Sequence, residues 1–150
     1  MKRRKLTARN ADINRLYEES VQCTEFEVSF INKLFKRYNK TKCKSLREDF
    51  CASALISSEW VRDNKDNIAI AVDLDRTMIK EAKNTALSRL SSEQQKRIKI
   101  CYGDSSKFNT DKVDCVLATN FSYFVFKQRK KLIDYFNKKK IRTSFQIFRY

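Results

Sequence analysis

The segment from 45 to 75 constrains the fold of this chain more than any other. A short strand-like run at 45–50 is followed by a turn of small residues at 51–54 and then by a helix-compatible segment. The chain returns through a continuous apolar run at 68–72, which ends at Asp73. This order predicts a β-α-β unit, because two parallel strands need a crossover connection that is usually a helix.

The position of Asp73 gives this unit a functional interpretation. Ala52 precedes Asp73 by 21 positions, close to the spacing at which a nucleotide-binding unit places its ribose-binding acid. A small-residue turn lets backbone N–H groups approach a cofactor, while the carboxylate accepts hydrogen bonds from two ribose hydroxyls. Helix capping is the competing explanation for Asp73, Asp75 and Asp104, which all follow predicted strands. Capping explains one carboxylate but not three on adjacent strands, so we favour binding for Asp73.

The rest of the chain continues the alternation of helices and strands. Helices are predicted at 12–19, 26–38, 54–61, 75–90 and 128–137, with Asp75 as the N-cap of the fourth. Further strands are predicted at 97–102 and 113–119. The segment 142–150 either forms one more strand or remains loose. The expected fold is α/β, a Rossmann-like three-layer sandwich with a parallel sheet in the order 3-2-1-4 and helices on both faces. The strand at 113–119 is expected at or near the edge, where it would favour association between chains.

Composition limits the chemistry. A chain of 150 residues is expected to form one domain. It shows neither an apolar run of membrane length nor a signal peptide, which predicts an intracellular, cytoplasmic setting without a membrane partner. Its 5 cysteines lack a C-x-x-C pair and are interpreted as reduced core residues. Because the chain has 0 histidines, His-based catalysis is excluded, no metal is expected, and a cofactor should carry the chemistry.

The positive charge lies mostly in the second half of the chain. Residues 76–150 carry 18 basic and 6 acidic side chains, and 127–150 holds nine Lys or Arg against Asp134. We therefore divide the chain into a basic arm at 1–15, a domain at 16–137 and a basic tail at 138–150. Nucleic-acid binding is an alternative function, motivated by aromatic residues interleaved with the basic ones, but these aromatics have ordinary core explanations and the alternative ranks last. They are Tyr123, Phe124, Phe126, Tyr135 and Phe136.

Five blocks in the right order carry a family resemblance. They are Leu-Arg-Glu-Asp-Phe-Cys-Ala-Ser-Ala at 46–54, Tyr-Glu-Glu-Ser-Val-Gln at 17–22, Ala-Val-Asp-Leu-Asp at 71–75, Gly-Asp at 103–104, and Asn-Phe-Ser-Tyr-Phe-Val-Phe-Lys at 120–127. Over residues 16–136 the chain resembles the class I S-adenosylmethionine-dependent methyltransferases. More narrowly, it resembles a branch whose first motif reads Leu-Arg-Glu-Asp-Phe-Cys-Gly-Thr-Ala.

The resemblance implies an enzyme that transfers the sulfonium methyl of S-adenosylmethionine in line to an unidentified acceptor. Glu48 and the 51–54 turn would lie beside the amino-acid part of the cofactor, Asp73 at the ribose and Asp104 at the adenine amino group. The implied cofactor-binding residues are Glu48, Phe50, Cys51, Ala52, Asp73, Leu74, Asp104 and Asn120. The implied wall between cofactor and acceptor consists of Phe121, Ser122 and Tyr123.

Two departures from the family pattern shape the expectations. Ala52 replaces a glycine, and a positive φ there would strain the residue by about 1 kcal/mol or more. Family members continue through further strands, whereas this chain reaches Lys138-Lys139-Lys140 and ends at Tyr150. The resemblance therefore implies that this chain is C-terminally shortened and that its sheet is incomplete. We expect such a chain to be poorly stable and of low catalytic competence. An inactive, methyltransferase-like remnant is therefore kept as an alternative.

Overall fold

The computed structural model describes residues 23–119, 122–141 and 143–148. Five strands form one sheet in the order β3-β2-β1-β4-β5, and every neighbouring pair is parallel. The strands are β1 Ser45–Asp49, β2 Ile68–Asp73, β3 Ile98–Tyr102, β4 Val113–Ala118 and β5 Thr143–Phe148. The α/β fold and the predicted order 3-2-1-4 are confirmed, and the chain supplies the additional strand.

β4 was expected at or near the edge of the sheet, and it lies next to the edge, which β5 forms. β5 pairs with β4 from Val113 opposite Thr143 to Ala118 opposite Phe148, so the backbone N–H and C=O groups of β4 have partners on both sides. The predicted association through an exposed β4 edge thereby loses its premise. The segment predicted as a basic tail contains the last turn of a helix that ends at Ile141 as well as all of β5.

Four of the five described helices lie close to their predicted positions, and the short helix at Ser92–Gln95 was not predicted. The five helices are α1 Thr24–Asn39, α2 Leu55–Asp63, α3 Arg76–Glu81, the short α4 Ser92–Gln95, and α5 Arg129–Ile141. Asp75 is the N-cap of α3, as predicted, and accepts hydrogen bonds from the N–H groups of Thr77 and Met78. The helical path of α3 continues to Arg89 through a π turn and a 3-10 turn, where the hydroxyls of Thr85 and Ser88 donate to main-chain carbonyls. The helix predicted at 12–19 and the basic arm lie outside the described residues.

One face of the sheet, here called the α2 face, holds the apolar core. Leu46 on β1 and Leu117 on β4 are fully buried there with Trp60 of α2. The indole N–H of Trp60 donates to the carbonyl of Ile68 at 3.1 Å, which satisfies its polar atom inside the core. Helices α1, α2 and α3 cover this face, because their apolar residues recur at the spacing of one helix side.

The opposite face, here called the α5 face, is built differently. Arg47 and Asp49 project from β1 to this side, since side chains alternate along a strand, and each is 1% exposed. Helix α5 and the connection from β3 to β4 cover them, and this connection (103–112) contains no helix.

Two further features concern the described part of the chain. Cys43, Cys51, Cys101 and Cys115 are buried free thiols, whereas Cys23 is exposed. None of the helices is long and apolar enough to cross a membrane.

Candidate functional site

A cleft of about 1200 Å³ opens at the carboxyl ends of the strands. One side, called the strand wall, carries Asp73, Asp75 and Asp104 from the turns after β2 and β3. The other side, called the α5 wall, carries Lys127, Lys131, Asp134 and Lys138. The cleft lies where parallel α/β sheets usually bind ligands, next to the point where the strand order reverses between β1 and β4.

Asp73 connects the turn after β1 to the turn after β2. Its Oδ2 accepts a hydrogen bond from the N–H of Ala52 at 2.8 Å, and its Oδ1 accepts one from the N–H of Asp75 at 2.8 Å. Each carboxylate oxygen has a second lone pair, so both can also accept from a ligand hydroxyl in the cleft.

Asp75 and Asp104 organise the backbone around them. Asp75 caps α3, so capping explains this carboxylate. Asp104 Oδ1 accepts from the N–H of Ser106 at 2.8 Å and from its hydroxyl at 2.6 Å. Partial burial acts to raise the pKa of Asp104, but the hydrogen bonds from Ser106 and the charge of Lys107 outweigh it and lower the pKa. Asp104 is therefore ionised at neutral pH.

The turn after β1 adopts a left-handed conformation three times without a glycine. Phe50, Ala52 and Ala54 have φ values of 59°, 45° and 56°, a region that costs an L-residue roughly 1–2 kcal/mol each. The predicted condition for strain at Ala52 is met. Hydrogen bonds donated by its main-chain N–H groups hold the turn in place, including that from Phe50 N–H to the side-chain Oγ of Ser105 at 3.2 Å.

Glu48 is buried beneath this turn on the α2 face, 3% exposed. Its Oε2 accepts from the N–H of Ser57 at 2.9 Å and from the Ser57 hydroxyl at 2.6 Å, so it satisfies the first turn of α2. Burial raises the pKa of Glu48 to about 7, against the hydrogen bonds from Ser57 and with a smaller contribution from Asp73. Burial also raises the pKa of Cys51, with help from the charges of Glu48 and Asp73, which leaves this thiol protonated and unsuited to nucleophilic attack.

A buried cluster of charges lies under the cleft on the α5 face. Asp49 Oδ1 is 2.7 Å from Arg47 Nε, and its Oδ2 is 3.0 Å from Lys139 Nζ. The hydroxyl of Tyr135 donates to Asp49 Oδ2 at 2.8 Å, and burial followed by the charge of Asp49 raises the pKa of Tyr135. Sequence reasoning missed this cluster because it assigned Lys139 to a solvated tail; the only signal was Arg47 and Asp49 alternating along a buried strand.

Gly103 keeps the cluster covered. A Cβ at this position would lie 2.6 Å from Cδ2 of Phe108, a distance that excludes any larger residue unless the ring moves. The Arg47 guanidinium carbon lies 5.8 Å from the centroid of the Phe108 ring, and Arg47 Nη1 donates to the Phe108 carbonyl at 2.8 Å. The single glycine of the chain therefore admits an aromatic cover over a buried cation.

The predicted site residues fall into five groups. Phe50, Asp73, Leu74 and Asp104 line the cleft. Glu48 and Cys51 are buried below it, and Ala52 lies in the turn, tied to Asp73. Ser122 and Tyr123 lie in a 3-10 turn away from the cleft lining, and Asn120 and Phe121 lie outside the described residues. Sequence reasoning assigned no site role to Arg76, Tyr102, Lys127, Lys131 and Lys138, which also line the cleft. Of these, only Lys127 belongs to one of the blocks that carry the resemblance.

A metal centre would need a different grouping of side chains. Among residues 23–119, 122–141 and 143–148, no three His, Cys, Asp or Glu side chains cluster as metal ligands. The site that the described residues form is a cleft with three carboxylates and two cations on one side and three lysines and one carboxylate on the other.

Comparison with known proteins identifies the fold. No protein-family model matches the chain, and no curated protein matches it. Among solved structures it is similar to an S-adenosylmethionine-dependent methyltransferase from Clostridium acetobutylicum, with a TM-score of 0.73 and 18% identity over 90% of this chain and 55% of that one.

Two further structures agree with the first. S-adenosylmethionine-bound CalS10, an amino pentose methyltransferase from Micromonospora echinaspora, has a TM-score of 0.70 and 9% identity over 95% of this chain and 55% of that one. The plantazolicin methyltransferase BpumL has a TM-score of 0.70 and 11% identity over 87% of this chain and 47% of that one. The chain spans about half the length of these proteins, and it has the Rossmann-like fold of class I S-adenosylmethionine-dependent methyltransferases.

Proposed function

We propose that the chain binds S-adenosylmethionine in the cleft and takes part in methyl transfer to an acceptor held against the α5 wall. The observation that carries the proposal is Asp73, whose carboxylate ends β2 and joins the turn after β1 to the turn after β2 through 2.8 Å hydrogen bonds. A carboxylate with spare acceptor capacity at this position suits a ribose diol.

The chemistry of the cleft fits this cofactor. Asp104 is ionised and available to an adenine amino group, and the exposed side chains of Leu74 (61%) and Tyr102 (46%) offer apolar contacts to a purine ring. The solved structures described above include one with S-adenosylmethionine bound and one in complex with its demethylated product, S-adenosylhomocysteine.

When bound, S-adenosylmethionine supplies an electrophilic methyl group on a positively charged sulfur. The chain's contribution is then position, since in-line transfer depends chiefly on alignment at near-contact distance. Phe50, Phe126 and Tyr135 form an aromatic group between the two walls, with ring centroids 5.0–6.1 Å apart. These rings give the acceptor an apolar surface on which to be oriented.

Calorimetric titration with S-adenosylmethionine tests the proposal before any acceptor is known. Asp73→Asn should raise the Kd roughly 30- to 150-fold, equivalent to about 2–3 kcal/mol, because a charged acceptor of two hydroxyls is lost. Asp75→Asn is the matched control, since asparagine still caps α3 and the Kd should change less than about threefold. Equal losses in the two variants would mean that both residues only support the turns.

Cofactor binding without transfer is the second candidate function. The observation that favours it is the glycine-free turn, where the methyl group of Ala52 narrows the approach of a ligand to the backbone. Radiolabelled S-adenosylmethionine offered with a cell extract separates the two candidates. Saturable binding without label transfer would favour the binding domain, whereas labelled products that require Asp73 would favour the enzyme.

A further inference from the structure

The two walls of the cleft carry opposite charge. The strand wall presents three carboxylates, those of Asp73, Asp75 and Asp104, together with the cations Arg76 and Lys107, a net charge of −1. The α5 wall presents three exposed lysines with one carboxylate, Asp134, a net charge of +2. A neutral or cationic ligand is favoured on the first wall and an anionic ligand on the second.

Helix α5 is held so that this lysine wall faces the cleft. Lys131 and Lys138 are seven residues apart, two turns of helix on the same side, and Lys127 precedes the helix by two residues. Tyr135 and Lys139 anchor α5 to Asp49 beneath the cleft, so the helix cannot rotate the lysines away without breaking the buried cluster.

The lysines of the α5 wall are available to a ligand. Within the described residues, Lys127, Lys131 and Lys138 form no ion pair, in contrast to Lys139 with Asp49 and Lys107 with Asp104. Three amines on one wall of a cleft repel one another, and an anion placed between them relieves that repulsion.

We propose that the acceptor is a small anion, with a carboxylate or phosphate bound by Lys131 and Lys138 and a flat apolar body resting on Phe50 and Phe126. The proposal rests on the function proposed above, because it assigns the α5 wall to the acceptor. A cleft of about 1200 Å³ exceeds the roughly 300–1,000 Å³ typical of single-ligand pockets, so it accommodates a cofactor and a small second molecule. The aromatic group favours such a molecule over a nucleic acid, which would also need stacking residues along an open groove.

The test compares three probes of similar shape by ligand-detected NMR titration: benzoate, phenyl phosphate and the neutral benzamide. Each probe is titrated into the full chain at low salt, with and without saturating S-adenosylhomocysteine. When S-adenosylhomocysteine is bound, its own carboxylate fills the position that the cofactor's carboxylate would take, so that position is closed to the probes. The variant is Lys131→Gln/Lys138→Gln. The matched control is Arg129→Gln/Lys130→Gln, which removes the same charge from exposed positions of α5 that do not line the cleft.

The wild-type chain should bind at least one anion about tenfold more tightly than benzamide, as expected for two amines on one anion. The cleft variant should lose this preference and the control should keep it; a preference for benzoate or for phenyl phosphate identifies the anionic group. Equal binding of all three probes, or equal loss in both variants, would overturn the proposal. The proposal would also be overturned if oligothymidylate displaced the anionic probe and if the affinity of the oligothymidylate rose with its length. That result would indicate a nucleic-acid surface.

Calorimetry separates this inference from the function on which it rests. If S-adenosylhomocysteine binds with dependence on Asp73 but no lysine-dependent anion preference appears, the acceptor proposal fails alone. If the anion preference appears without any binding of S-adenosylhomocysteine or S-adenosylmethionine, the lysine wall is an anion site and the methyltransferase proposal fails.

Discussion

The side chains of β1 on the two faces of the sheet are equally buried, but apolar packing stabilises those on one face and ion pairs stabilise those on the other. On the α2 face, Leu46 is 0% exposed among apolar neighbours, while on the α5 face its chain neighbour Arg47 is 1% exposed and is held by Asp49 and by main-chain carbonyls. Apolar burial is non-directional and tolerates changes of shape. A buried ion cluster depends on each partner, because the loss of one leaves an uncompensated charge.

This difference has a consequence for the cleft above it. The apolar side chains of the α2 face pack against β1 and β2, whereas the charge cluster on the α5 face fixes the position of α5, the helix that carries the lysines of the α5 wall. The charge cluster therefore acts as a positioning element, since Tyr135 and Lys139 both contact Asp49 from α5. Substitutions on the two faces should have different costs even where they conserve volume.

The largest contrast is expected between two isosteric substitutions on β1. Asp49→Asn should destabilise the fold by about 3–5 kcal/mol, because Arg47 and Lys139 lose their shared counter-charge in a buried site. Leu46→Met should cost less than about 1.5 kcal/mol, because it conserves apolar volume. Urea unfolding followed by circular dichroism measures both. A cost below about 1 kcal/mol for Asp49→Asn would show that the cluster contributes little and that the two faces are equivalent.

Stability should fall with rising pH because of Glu48, the carboxyl at the cleft end of the α2 face. Burial raises its pKa from 4.5 to about 7, so the folded state holds the proton more tightly than the unfolded state. The contribution of Glu48 to the free energy of unfolding is fully present below about pH 4.5 and is lost as the pH rises through about 7. The total loss is at most about 3 kcal/mol. With 0 histidines in the chain, few other side chains titrate in this window.

Urea midpoints at about pH 5 and about pH 8 provide the measurement for Glu48. Glu48→Gln keeps an acceptor for Ser57 but cannot titrate, so its midpoint should change much less between the two conditions. A wild-type chain whose stability increases across this window would contradict the assignment of the raised pKa to Glu48.

The smallest expected effect lies in the turn that joins β1 to the α2 face. Ala52→Gly removes strain at a φ of 45°, and after the added flexibility of the unfolded chain the net gain should be no more than about 1 kcal/mol. Ala71→Gly, in the extended strand β2, is the control and should be destabilising. Thermal unfolding of both variants shows the sign of each change, and a loss of stability in Ala52→Gly would mean that contacts of the Ala52 methyl group outweigh the strain.

The residues that were predictable share a short-range signal. Asp75 follows a strand and precedes an apolar helical pattern, so its capping role could be predicted from neighbours within a few positions. The strand order follows from alternating strands and helices together with right-handed crossovers. Lys139, Tyr135 and Phe108 had no comparable signal, because each contacts a residue of the buried charge cluster that lies 61 or more positions away in the chain.

The sequence by itself determined the parallel α/β sheet, the apolar α2 face and the placement of Asp73 and Asp104 after their strands, because periodicity and turn chemistry act locally. Only the tertiary structure decided that β5 covers β4, that three residues of one turn are left-handed, and that Asp49 gathers two cations and a tyrosine under the cleft. Whether a lysine is solvated, as Lys138 is, or buried, as Lys139 is, depends on which way a helix faces the sheet. That orientation is set by packing between distant segments, so no local pattern could reveal it.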